Sequence, residues 1–371
     1  MTFVSLLWIL IWGGMFSDIS SLGSIHGLLN PLALVQGIRP LFPIAAVYLG
    51  LMWILVTRSL FPFAKTPLGF MFYYSLTGLF SSILLSPQKV VSVYWAALYI
   101  SPFLVIWMAI DKSEILKSLK RITYINYAVV IFIAMSLIPE VIRIGGSDER
   151  FTQIYSLPFH LGEIRANGVG RFALLAFIIA FVRMVFEGKK KKYLWIVVIL
   201  PSLFLLAQTR SRTSLLGLAV VSVLFVFLKG IDWRFLFVGP GAAYIIWLSG
   251  IKWRLHGQVE KIMDLTGREY TWQRGLEQIK QSPFFGWGFH ADRLMLRAEH
   301  MHNSYLHAAI HSGLVGAVFF VAALVSLWVL IIRSGVFRLV RRGLAADKPI
   351  LIESLLIISF LTERSFFEST A

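Results

Sequence analysis

Four of the chain's eight histidines, His300, His302, His307 and His311, fall within twelve residues. His300, His307 and His311 stand at i, i+7 and i+11, a spacing that shares one helix face, so a metal site must be weighed against acid–base chemistry. The His-Glu-x-x-His spacing of metalloproteases is missing. Asn303 and Ser304 also read as N-caps, which leaves His300 and His302 outside the helix. A histidine at the mouth of a helix near a bilayer surface suits a general base with a pKa near neutrality. His302 is that candidate; His307 and His311 are expected to line the bundle, and no metal or cofactor is expected.

The second set is cationic. QTRSRTSLLGL (208–218) puts Arg210 and Arg212 where one apolar span ends and the next begins, alternating with Thr209, Ser211 and Thr213. Such arginines either snorkel to lipid phosphates or mark a site. Free backbone N–H groups beside guanidinium forks suit a phosphate, and Ser211 or Thr213 can cap the following span. TGREYTW (266–272) repeats the theme. Thr266 and Glu269 form a capping box, so a helix should start just after Thr266, with Trp272, Leu276 and Ile279 as its apolar stripe. Arg268 then sits in the first turn, where the helix dipole disfavours a cation, an arrangement that suits presentation to an anion. In GEIRANGVGRF (162–172), Arg165 and Arg171 flank another span start, with Glu163 as a base or an ion-pair partner. SPFFGWGFH (282–290) is a Gly-rich aromatic turn whose Trp287 and phenylalanines anchor at headgroup depth or stack on sugar rings.

These residues need a membrane scaffold to hold them. The chain has 371 residues, 57% hydrophobic and 15% charged, with a mean hydropathy of +0.75. Apolar runs of ~20 residues recur, the length that crosses a hydrocarbon core. The fold class is therefore all-α, a polytopic membrane protein of about 11 transmembrane helices. The spans are 1–16, 40–57, 67–86, 90–110, 122–143, 166–187, 193–208, 213–229, 233–251, 303–332 and 349–363. A β-barrel would alternate polarity over ten-residue segments, and these runs are continuous. The first span lacks a basic n-region and a small-residue cleavage site, so it is read as a retained helix. Residues 1–371 form a single integral membrane domain, with 252–302 as an outer catalytic loop carrying short amphipathic helices.

Cysteine is absent, which removes disulfides and thiolate chemistry. The net charge of +16 is explained by topology and not by nucleic acid. Short loops on one side carry eighteen basic residues, those on the other only five. The long loops 144–171 and 252–302 then lie on the outer, periplasmic face.

The ordered set of motifs resembles the O-antigen ligase/O-antigen polymerase superfamily. It comprises Ser211, Arg212 and Thr213 at a span start; Gly267, Arg268 and Trp272 opening a loop helix; Pro283, Gly286 and Gly288; His302 to Leu306; and Gly313 to Gly316. The likeness covers about 205–320 and is architectural elsewhere; the loop after Gly288 is brief for the family. The resemblance implies an inverting, metal-independent glycosyltransferase of the bacterial cytoplasmic (inner) membrane, working on its periplasmic face. Its implied donor is a polyprenyl-diphosphate-linked glycan, and its acceptor a glycan or lipid A-core. Arg212 and Arg268 would bind the diphosphate and His302 would activate the acceptor. Arg210, Arg165, Arg171, Trp272 and Asn303 are the expected substrate-binding residues. The rival reading is a transporter or flippase of lipid-linked oligosaccharide, which should place ionisable groups and broken helices near the midplane. Here they gather at outer span ends.

Overall fold

The computed structural model describes residues 3–17, 36–58, 62, 64–110, 115–144, 154–157, 162–209, 211–229, 268–296, 300–342 and 347–368. The expected span 233–251, Arg210, and the capping-box residue Thr266 with Gly267 lie outside the described residues.

In chain order the helices are α1 (Phe3–Gly14), α2 (Leu41–Thr57), α3 (Pro67–Leu84), α4 (Lys89–Ile110), α5 (Ile115–Ser136) and α6 (Ile138–Ile144). A short antiparallel pair follows, β1 (Ile154–Ser156) and β2 (Glu163–Arg165), in which Tyr155 faces Ile164. Then come α7 (Ala166–Phe186), α8 (Lys189–Thr209), α9 (Arg212–Lys229), α10 (Arg268–Gln281), α11 (Ala291–Met295), α12 (Ser304–Arg333), α13 (Val336–Arg342) and α14 (Lys348–Phe367). The chain is an all-α polytopic membrane protein.

Seven helices among the described residues are long and apolar enough to span a bilayer. The difference from eleven has particular causes. Phe3–Gly14 and Leu41–Thr57 are shorter apolar helices. The region expected to span at 349–363 does form a helix, α14, but it carries Glu353, Glu363 and Arg364 and is not one of the seven.

By internal contacts the chain divides into two compact units, interleaved in sequence. One comprises 1–126 and 268–328, the other 127–267 and 329–371. In the first, Val4, Leu7 and Ile11 on α1 share a core with Ala46 of α2 and Val105 and Met108 of α4. The indoles of Trp8 and Trp12, one turn apart, both donate to Oδ1 of Asn126, at 2.7 and 2.8 Å. Helix α3 starts where its sequence says it should: Thr66 Oγ1 accepts from Gly69 N at 3.2 Å, and Pro67 needs no donor in the first turn.

The main irregularity of this unit is in α12. Gly313 has φ 62° and ψ −167°, so the helix is broken inside its apolar length. The SPFFGWGFH turn fills that break. Trp287 N and Gly288 N donate to the Ile310 and His311 carbonyls, at 2.9 and 2.8 Å. Leu314 N and Val315 N donate to Pro283 O and Phe284 O, at 2.8 and 3.2 Å. Backbone groups freed by a broken helix must find partners within the protein when water is scarce, and the turn supplies them. This explains the glycines. A Cβ on Gly286 would stand 2.6 Å from both Gly313 N and Ile310 O, and one on Gly288 would stand 2.7 Å from the Cα of Ser82. The turn is therefore an internal plug as well as a surface feature. Phe289 is fully buried, stacked on Tyr99 at 4.1 Å, while Phe284 and Phe285 stay exposed.

In the second unit α7 buries most of its length, from Val169 to Val182. Arg183, near its end, pairs through two nitrogens with the buried Glu353 carboxylate of α14, at 2.5 and 3.0 Å. The buried Arg364 reaches Thr213 Oγ1 at 3.5 Å and the Asn167 carbonyl at 3.2 Å. Asn167 in turn donates to Glu368 at 2.6 Å. Charges buried inside a membrane protein face inward and are paired, and Glu353 and Arg364 of α14 follow that rule.

Candidate functional site

The first unit holds the histidine cluster. Helix α10 is amphipathic, but its buried face differs from the expected stripe. Thr271, Gly275 and Ile279 are buried and Trp272 is partly so, whereas Leu276 is exposed. Gly275 belongs to this face because the end of the Met301 side chain lies directly against it and would have to shift to admit a Cβ. Below the contact, Ile279, Ala291, Leu296, Met301, Ala309 and Ile310 form one apolar cluster. Trp272 Nε1 donates to the Met301 carbonyl at 2.6 Å. The helix that begins at Arg268 is thus bonded to the residue immediately before His302.

Two local features shape the turn that carries His302. Asn303 caps α12, its Oδ1 accepting from Tyr305 N and Leu306 N, each at 3.0 Å. This matches the cap read from the sequence and leaves His300 and His302 outside the helix. His302 has φ 48°, in the left-handed region. A non-glycine residue there is uncommon, and such conformations collect at functional sites.

The remaining histidines converge on a residue that sequence reasoning missed. Asp292 lies on α11 and is 1% exposed. Its Oδ2 is 3.1 Å from His300 Nδ1 and 3.3 Å from His307 Nε2, and its Oδ1 is 3.4 Å from His311 Nε2. Arg293 Nη2 contacts Nε2 of His300. Burial alone would raise the Asp292 carboxyl; the neighbouring His307 and hydrogen bonds from the three imidazoles outweigh it and hold the group well below the usual carboxylate range. Burial pushes His300 down to about 4, against the pull of Asp292. His307 and His311 do lie inside the bundle as expected, at 4% and 1% exposure, but as members of a polar cluster. No spacing rule joins Asp292 to them; it stands eight positions before His300, on a different helix from His307 and His311.

Arg268 and Trp272 belong to the same unit as His302. Arg212, Arg165 and Arg171 belong to the other. Arg212 is the first, exposed residue of α9, behind a cap in which Ser214 N donates to Ser211 Oγ at 3.4 Å. Arg165 is exposed at the end of β2 and precedes α7 directly, and Glu163 is exposed on the same strand. Arg171 lies one turn into α7 with its guanidinium 5.4 Å from the Phe172 ring centroid.

Residues 195–321 match the family model described as O-antigen ligase. The chain is similar to the exopolysaccharide production protein ExoQ of Rhizobium meliloti (strain 1021), 28% identical over 192 residues that cover 43% of each protein. It therefore spans less than half the length of that curated relative. No solved structure matches. The matched segment contains the Ser-Arg-Thr cap, Arg268, Trp272, the plug turn and the His302 turn, and over that segment the chain is similar to the O-antigen ligase family.

Proposed function

We propose that this protein is a membrane glycosyltransferase of cell-surface polysaccharide assembly, moving a glycan from a polyprenyl-diphosphate donor to an acceptor sugar hydroxyl. The observation that carries the reading is His302. It lies outside the capped end of α12 in a left-handed conformation, on a turn bonded to the helix that begins with Arg268. A glycosyl diphosphate already contains a good leaving group, so the protein has only to stabilise developing charge and remove one proton. Arg268 and Arg212 would take the diphosphate charge, with Arg165, Arg171 and Arg210 as further cations and Trp272 and Asn303 bordering the acceptor. His302 would accept the hydroxyl proton, and a single displacement would invert the anomeric carbon. The reaction belongs on the periplasmic face of the inner membrane, consistent with the uneven basic charge of the short loops. The family match and the likeness to an exopolysaccharide production protein support polysaccharide as the product class.

The test is reconstitution of the full chain in liposomes with a defined lipid-linked oligosaccharide and an acceptor. New glycosidic bonds that depend on His302 support the reading. Translocation of the donor without bond formation overturns it in favour of a transporter.

A further inference from the structure

The geometry points to a divalent transition-metal site of the zinc class, in which Asp292 Oδ2, His300 Nδ1 and His307 Nε2 are the protein ligands. Asp292, His300 and His307 each offer one ligand atom, and these atoms lie within 4.8 Å of one another. The two carboxylate–imidazole separations are 3.1 and 3.3 Å. Donors bound at ~2.0–2.1 Å around a tetrahedral ion stand about 3.3–3.4 Å apart, so the spacing suits a shared ion. It suits a hydrogen-bonded cluster less well, because N–H bonds to a carboxylate close to ~2.7–2.9 Å when charge assists them. All three imidazole contacts of Asp292 are longer than that.

The donor set agrees with the spacing. Two imidazoles and one carboxylate favour zinc, cobalt, nickel or iron over magnesium or calcium. His311, one turn along α12 from His307, approaches the other carboxylate oxygen at 3.4 Å and can orient it as a second-layer donor. Asp292 is buried, and a bound cation would offset the cost of desolvating its charge. One feature opposes the ion: the Arg293 guanidinium against Nε2 of His300. Its removal should tighten binding. The ion's role would be structural, fastening α11 and the 300–303 turn to α12. It would not sit on the reacting atoms, and the inference stands whether or not glycosyl transfer is the activity.

The test uses the full chain in detergent, purified through a tag without histidine. Metal content is read by mass spectrometry after zinc loading and gel filtration, and cobalt(II) is titrated while its visible d–d absorption is followed. The wild type should retain one ion per chain and develop the band. Asp292→Asn and His307→Gln should each retain less than a tenth as much. His311→Gln should weaken affinity by about tenfold, as loss of an outer-layer partner does, and Arg293→Gln should strengthen it. His302→Gln, outside the ligand set, should bind as the wild type does. If the ligand variants fail to fold, the wild-type titration and a zinc-dependent rise in its unfolding temperature still decide. A wild type with no retained ion, no cobalt band and no thermal shift, or an Asp292→Asn variant that binds equally, overturns the site and leaves Asp292 as a carboxylate hydrogen-bonded by three imidazoles.

Discussion

The indole of Trp272 donates to the carbonyl of Met301 at 2.6 Å, across 29 residues of chain, and so fixes the α10 helix to the residue next to His302. If Arg268 positions substrate and His302 accepts the proton, as proposed, their spacing needs such a link to persist. Trp272→Phe keeps the ring area and removes the donor. Leaving a partly buried carbonyl unpaired should cost about 1–3 kcal/mol. A small shift of the turn should lower turnover by up to ~10²-fold. Thermal unfolding in detergent and initial rates of glycan transfer, measured side by side, check both effects.

His302→Ala and Arg268→Ala should each give inserted, folded protein with transfer reduced by ~10²–10³-fold, the usual consequence of losing one aligned catalytic contact. Product yield, normalised to protein recovered in the membrane, is the measurement. Normal yield from either variant would remove that residue from the mechanism.

Asn303 separates capping from substrate contact. Asn303→Ala should cost about 1 kcal/mol through loss of the two bonds to Tyr305 N and Leu306 N. Asn303→Asp retains a cap oxygen and should restore stability, leaving any remaining loss of activity to the amide. Paired unfolding and rate measurements on the two variants distinguish these contributions.

The break in α12 that the plug turn fills should be intolerant of substitution at Gly313. A Cβ there would collide with the Phe284 and Phe285 backbone, in addition to the positive φ. Gly335 also has positive φ, 65°, but a Cβ there would meet nothing within 4 Å. Gly335→Ala should therefore cost only the conformational penalty, about 1–2 kcal/mol. Gly313→Ala should cost several kcal/mol more than that, or abolish folding. Detergent unfolding temperatures of the two variants, compared with the wild type, give the answer.

Much of this architecture was legible in the residues because the signals were local. The Asn303 cap, the Ser211 cap, the amphipathic α10 and the polytopic all-α class follow from side chains within one turn of where they act. What escaped depends on tertiary contact. The α10 stripe differed because Met301 claims the Gly275 face and leaves Leu276 outside. The break at Gly313 could not be seen in a continuous apolar run, since the turn that satisfies its backbone lies some thirty residues upstream. Asp292 stands in no motif that marks it. Only the fold brings it against three imidazoles.

The most direct measurement is the mass of the product formed when the purified full-length protein meets a defined polyprenyl-diphosphate oligosaccharide and an acceptor glycan. A product heavier than the acceptor by whole donor glycans, formed by the wild type and lost in His302→Ala, is the predicted result. Equal product from both proteins, or donor that crosses the membrane unchanged with no new glycosidic bond, would contradict the account.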